Sequence, residues 1–227
     1  MLHVTPTLWK RSIAEAIGIF TIVFAGCGSV RVAELYPGTI SNGGISVIFG
    51  LAVAVMIYAL GHLSGAHFNP AVTLAFAAAR HFPLKEVAAY WTAQFIGALA
   101  AIGLLSWLLP NGHTFGATQT SLPWAQALGW EVILTFFLMF VIMAVATDTR
   151  AEGTMAGAAI GATVILAAWF GGPVTGASMN PARSLAPALF EGKFDLLWIY
   201  FVGPVTGALF AALLYTYLRH DPIKEKP

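Results

Sequence analysis

Charge is what this chain has least of. Only 9% of its 227 residues are Asp, Glu, Lys or Arg, against about a quarter in soluble domains. None of the four occurs from Leu35 to Ala79. A water-soluble fold built from this composition has too little polar surface to cover its core. The 58% hydrophobic content and mean hydropathy of +0.79 point to a polytopic membrane protein in contact with the lipid bilayer. A net charge of +1 leaves no basic surface, so nucleic acid is not expected as a partner. Cysteine is almost absent: Cys27 alone excludes an internal disulfide and a cysteine metal cluster. It reads as a small packing residue. There is no His–Glu metal spacing and no Ser or Asp in a Gly-rich catalytic turn, so the chain offers no candidate for an enzyme, a metal site or a cofactor.

What is present is a series of long apolar runs. A helix needs roughly 20 such residues to cross a ~30 Å hydrocarbon core. Six runs fit, at about 10–33, 43–62, 84–108, 126–147, 154–171 and 196–218. The first starts after Lys10-Arg11 and is read as a retained helix, not a signal peptide. Two apolar stretches, near 69–79 and 180–190, are too short to cross, and each begins with Asn-Pro-Ala: Asn69, Pro70, Ala71 and Asn180, Pro181, Ala182. Asn is a good N-cap and Pro suits the first helical turn. Both stretches therefore read as re-entrant half-helices, tolerated at membrane depth where they are buried in protein or line a wet cavity.

An even number of spans puts both termini on one side. With the N-terminus inside, Lys10, Arg11, Arg80, Lys85, Arg150, Arg219, Lys224 and Lys226 are cytoplasmic, and Arg31 and Lys193 are outside, in keeping with the positive-inside rule. The motif "SGAHFNPAVT" (64–73) returns as "TGASMNPARS" (175–184), 111 residues later. "QFIGALAA" (94–101) returns as "PVTGALFA" (204–211), at an offset of 110. The chain is expected to be one domain of two repeats, about 10–108 and 126–218, joined by 109–125. Three spans per repeat make the second copy inverted, with a shared site where the broken helices meet.

Glu15 and Glu131, one per repeat, are carboxylates placed inside spans and away from their ends. A proton relay is one reading of an intramembrane carboxylate. A buried acceptor for the free N–H groups of a re-entrant loop suits one Glu per repeat better. His62 and His67 read as structural ties of loop backbone sooner than as pH sensors. Gly153/Gly157/Gly161, Gly203/Gly207, Gly172/Gly176 and Gly61/Gly65 have the spacing that lets helices approach closely in lipid. Loop "TDTRAEG" (147–153) reads as a charged turn.

The paired Asn-Pro-Ala turns, the Glu in each repeat and the six spans together resemble the aquaporin family over about residues 10–218. "GGPVTGASMNPARS" (171–184) and "ATDTRA" (146–151) are similar to its nodulin-26-like branch. The resemblance implies an all-α membrane protein with an hourglass pore in each protomer of a homotetramer in a cell membrane. It would pass water and small uncharged solutes and exclude protons and ions. It also implies backbone carbonyls of Gly65, Ala66 and His67, and of Gly176, Ala177 and Ser178, along the pore. Opposed helix N-termini would repel cations across the midplane.

The family's outer constriction uses four positions. Counting back 20 residues from Asn69 gives Phe49; counting back 12 and 3 from Asn180 gives Ala168 and Ala177; the fourth is Arg183. A one-residue bulge in the fifth span would replace Ala168 by Trp169. Arg183 is expected to exclude cations and donate hydrogen bonds to solute oxygen. A lipid-facing arginine is disfavoured so close to Pro181. Alanine where strict water channels carry histidine implies a wider filter, open to glycerol, urea or metalloid hydroxides such as arsenous and boric acid. Ser184, where glycerol channels carry Asp, and the pair Tyr200-Phe201 lean instead to a water channel. A strict water channel, or a secondary transporter with inverted repeats, are the alternatives.

Overall fold

The computed structural model describes residues 6–148, 150–151 and 153–219. Eight α-helices order this part of the chain: α1 Leu8–Leu35, α2 Asn42–Ser64, α3 Pro70–Ala78, α4 Val87–Leu108, α5 Trp124–Thr147, α6 Ala156–Thr175, α7 Pro181–Glu191 and α8 Ile199–Arg219. Short 3₁₀ turns, Leu84–Glu86 and Gly153–Met155, lead into α4 and α6. Six of the helices, counted with those turns, are long and apolar enough to cross a membrane. α3 and α7, at 9 and 11 residues, are too short.

The spans lie where the apolar runs place them, with ends moved by a few residues. The largest difference is in α6, expected to stop at 171. It continues through Pro173 to Thr175. A proline here loses one helical hydrogen bond and crowds the carbonyl four residues back, yet the helix runs past it; the stop comes from Gly176, left-handed at φ +81°. α2 ends in the same way on Gly65 at φ +86°.

The outer surface is apolar, and a small set of polar side chains is buried within an otherwise apolar core. Leu51, Val55, Leu166, Trp169, Phe210 and Leu213 are exposed on helix surfaces, while Glu15, Gln94, Glu131, Asn69, Asn180 and Arg183 are buried. Water would oppose such large apolar patches; hydrocarbon accepts them. α1 packs on α4, α5 on α8, and α2 on α6. α3 packs against α8 and α7 against α4, so each half-helix is wedged into the other half of the chain.

Close crossings explain some of the glycines. A Cβ on Gly161 would meet the Gly50 carbonyl at 2.6 Å, and one on Gly203 would meet Glu131 Cβ at the same distance. Gly207 faces the Val132 backbone and Gly97 that of Ala16. The expectation of close packing fails at Gly172, which has nothing within 4 Å, and at Gly61, where nothing lies closer than 3.8 Å. Their partners Gly65 and Gly176 cap helices instead.

Candidate functional site

Each half-helix is started by its asparagine. Asn69 Oδ1 accepts the Ala71 N–H at 2.9 Å, and Asn180 Oδ1 accepts those of Ala182 at 3.0 Å and Arg183 at 3.4 Å. With Oδ1 held in this way, the amide nitrogen of each side chain faces the other half of the molecule. Asn69 Nδ2 donates to the Met179 carbonyl at 2.7 Å; Asn180 Nδ2 donates to the Phe68 carbonyl at 2.9 Å. One N–H of each amide is left over, and both residues lie on the wall of a cavity.

The segments leading into the two asparagines have matching backbones. Gly65, Ala66 and Phe68 are at φ +86°, +51° and +50°; Gly176, Ala177 and Met179 are at +81°, +41° and +53°. The four residues with a Cβ sit in the left-handed region at a cost of about 1–2 kcal/mol each. Buried carboxylates hold them there. Glu15 Oε1 accepts from the Ser64 hydroxyl at 2.7 Å and the His67 N–H at 3.0 Å, and Oε2 from the Phe68 N–H at 2.6 Å and Gln94 Nε2 at 2.8 Å. Glu131 Oε1 accepts from the Thr175 hydroxyl at 2.7 Å and the Ser178 N–H at 3.0 Å, and Oε2 from the Met179 N–H at 3.0 Å. These bonds satisfy the buried backbone donors and offset the backbone strain. Two tyrosines repeat the same job from α4 and α8: Tyr90 Oη donates to the Ser64 carbonyl and Tyr200 Oη to that of Thr175.

Two turns of one kind, joined by reciprocal asparagine bonds and each moored to a buried Glu, have a known counterpart: residues 3–215 match the family described as Major intrinsic protein. The chain belongs to the major intrinsic protein family. It is 48% identical to aquaporin NIP1-1 of Oryza sativa subsp. japonica over 219 residues, 95% of this chain and 77% of that one. To nodulin-26 of Glycine max it is 49% identical over 219 residues, 95% and 81% of the two chains. The fold is similar to that of the aquaglyceroporin from Plasmodium falciparum, with a TM-score of 0.85 at 24% identity, covering 92% of this chain and 96% of the other. As a major intrinsic protein it is a multi-pass membrane protein and a channel for water and small solutes, not an enzyme.

The cavity of this channel has a volume of about 320 Å³. Its wall follows α6 from Ala156 to Gly172, roughly 24 Å at the α-helical rise. Phe49, Ala168, Ala177 and Arg183 all lie on that wall. So do Gly65, Ala66, His67, Gly176, Ala177 and Ser178. Trp169 does not; it is 57% exposed on the outer face of α6 and packs beside Gly43. The Arg183 guanidinium stands 5.0 Å from the centre of the Phe49 ring, and its Nη1 donates to the Gly116 carbonyl at 2.6 Å.

Of the other sequence candidates, only His67 reaches the lumen among the described residues. Ser184 is fully buried and bonded to the hydroxyls of Thr118 and Ser178. Phe201 stacks on Phe95, outside the cavity. His67 lies on the wall but is held by Thr73, Nδ1 to Oγ1 at 3.1 Å, with rings of Phe76, Phe82 and Tyr90 around it. His62 is exposed on α2. In the turn after α5, Asp148 pairs with Arg150 at 2.7 Å and takes a bond from Tyr215 Oη; Thr149 and Glu152 of that loop lie outside the described residues.

Sequence reasoning missed two contributions. Gly26 of α1 lies directly against the Phe49 ring, where a side chain would displace it; the run Gly26-Cys27-Gly28 was the available signal. The segment 109–125, read as a linker, supplies Thr114, Gly116 and Ala117 to the wall. It is fastened by Arg31, which donates to the carbonyls of Leu109 and Thr114, and by Glu34, which accepts the N–H groups of His113 and Thr114.

Proposed function

We propose that this chain is a passive pore for water and small uncharged solutes, among them glycerol, urea or metalloid hydroxides, that excludes protons and ions. One observation carries this reading: a single cavity is lined by both Asn-Pro-Ala asparagines, Arg183, Phe49, Ala168 and Ala177. Phe49, Ala168, Ala177 and Arg183 form the outer constriction. Its cation repels cations and donates to a solute oxygen, its ring takes the carbon edge, and its two alanines leave width that a histidine would fill.

Further in, Gly65, Ala66 and His67, with Gly176, Ala177 and Ser178, present carbonyls to the solute. In support, the N–H groups of His67, Phe68, Ser178 and Met179 are all drawn back onto Glu15 or Glu131. At the middle, the free amide N–H of Asn69 and Asn180 orients each passing oxygen. The N-termini of α3 and α7, each with roughly half a positive charge, raise a barrier to protons and cations. Glu15 and Glu131 are structural acceptors.

The two halves, about 10–108 and 126–218, act as inverted repeats of one channel domain around this site. In support, α1–α4 recur as α5–α8. The termini are cytoplasmic, as the positive-inside rule requires. Four copies assemble in the cell membrane through the apolar outer faces.

The test is stopped-flow shrinkage of proteoliposomes with sucrose, glycerol, urea and arsenite, for wild type and Arg183→Val. Flux linear in gradient and indifferent to Na⁺ supports a channel, and Arg183→Val is expected to raise proton or cation leak. Saturating, ion-coupled flux would instead support a secondary transporter. Water flux alone would support a strict water channel.

A further inference from the structure

Arg183 does not hold its own position. Its Nη1 donates to a loop carbonyl, that of Gly116. Gly116 is buried, left-handed at φ +76° and pressed against Val30, so that a Cβ would lie 3.3 Å from its side chain. A loop backbone of this kind stays put only if its polar groups are tied down.

The ties that flank Gly116 converge on one carboxylate. Glu191, the last residue of α7, accepts with Oε1 from the Phe115 N–H at 2.6 Å and the Ala117 N–H at 3.0 Å. It therefore grips the chain on both sides of Gly116. It also accepts from the Thr114 hydroxyl at 3.2 Å, whose oxygen in turn takes the Gly116 N–H at 3.0 Å. Oε2 is paired with Lys193 at 2.8 Å, and the Glu191 side chain is 2% exposed. Lys193 also donates to Gln119 Oε1 in the same loop. Arg183 and Glu191 sit at the two ends of α7, so one short helix fixes both the cation and the anchor of its acceptor.

We infer that Glu191 is a positioning residue for the outer constriction, holding the Gly116 carbonyl where it orients the Arg183 guanidinium. This rests on Arg183 being part of the filter. Were Glu191 only a surface cap, its loss would lower the yield of folded channel without changing what a folded channel passes. As a positioning residue it sets the ratio between solutes.

Urea flux, water flux and proton leak in proteoliposomes, normalised to folded channel, are to be compared for wild type, Glu191→Leu, Glu191→Gln, Arg183→Val and the Arg183→Val/Glu191→Leu double variant. Glu191→Leu is expected to shift the urea-to-water ratio roughly fivefold, the weight of one net hydrogen bond, and to raise proton leak. Glu191→Gln is expected to shift the ratio in the same direction but less than Glu191→Leu, because its amide oxygen still accepts from Phe115 and Ala117 while the ion pair with Lys193 is lost. In the Arg183→Val background, Glu191→Leu is expected to add nothing. Thr114→Val, which removes the hydroxyl between Glu191 and Gly116, asks the same question if Glu191→Leu does not fold, and is expected to shift the ratio in the same direction. A ratio unchanged by Glu191→Leu, or by Thr114→Val in its place, beside a shift in Arg183→Val overturns the inference and leaves the filter reading intact. Additive effects in the double variant overturn it as well. An Arg183→Val channel indistinguishable from wild type removes the filter reading, and this inference with it.

Discussion

The amide of Asn69 donates to the Met179 carbonyl at 2.7 Å, and Asn180 returns the bond to Phe68 at 2.9 Å. Each half of the chain thus closes the other's turn, and both asparagines are locked with their oxygens on their own helices. Asn69→Asp places an acceptor against the Met179 carbonyl. At neutral pH the expected outcome is a loss of about 2 kcal/mol in unfolding free energy, read from denaturant titration in detergent, together with a higher cation leak.

Glu131 accepts three bonds from Thr175, Ser178 and Met179 while fully buried. Glu131→Gln turns one acceptor oxygen into a donor facing another donor. A destabilisation of about 3 kcal/mol is expected, with the variant's residual folded channels conducting water as before. A Glu131→Gln channel as stable as wild type but altered in proton flux would return the carboxylate to a relay role.

Gly26 leaves room for the Phe49 ring. Gly26→Val drives that ring toward Arg183 and the lumen. Glycerol and urea permeabilities are expected to fall further than water permeability, measured by stopped-flow light scattering. Equal loss of all three would show that Phe49 does not bound the narrowest point.

Ala168 lies on the cavity wall and Trp169 on the outer surface. Ala168→His is therefore expected to slow glycerol and urea more than water, whereas Trp169→Ala leaves the solute ranking unchanged. The reverse pattern would move the constriction to the other side of α6.

The pH dependence of selectivity follows from Glu191. Burial alone would push its carboxyl up, but the Lys193 ammonium and the N–H groups of Ala117 and Phe115 outweigh that and hold it below the usual carboxylate range. Lys193 is the charged group in direct contact; Arg31 and Glu34 of α1 hold the same loop, which also carries His113. A lowered folded value means that the anchor's contribution is complete above the unfolded value of about 4.3. It is lost as pH falls through the folded value. The urea-to-water ratio is expected to stay flat from neutral pH down to about 5 and to drift only in more acid solution. A change centred near neutrality would implicate another group.

Much of this was legible in the residues. The spans show as apolar runs, and the half-helices show because Asn-Pro-Ala carries both a cap and a first-turn proline. Glu15 and Glu131 stand out because a carboxylate in hydrocarbon is costly without partners. Residues whose role depends on long-range contact did not show. Gly172 and Gly61 share the spacing of packing glycines yet neither is pressed against another helix, because helix rotation decides which glycine meets a neighbour. Gly26 matters only through Phe49, a residue of another helix.

The sequence by itself determined the membrane class, the number of crossings, the two broken helices and the family, because these rest on composition, local capping and a motif repeated along the chain. Tertiary structure decided which wall each side chain joins. It put Ala168 on the lumen and Trp169 on the outer surface, and withdrew Ser184 from the cavity. It also brought Gly116 and Glu191, 75 residues apart in the chain, to bear on Arg183. Such placements depend on where helices cross and on which buried donors find acceptors. These conditions are met in three dimensions and leave no local pattern in the sequence.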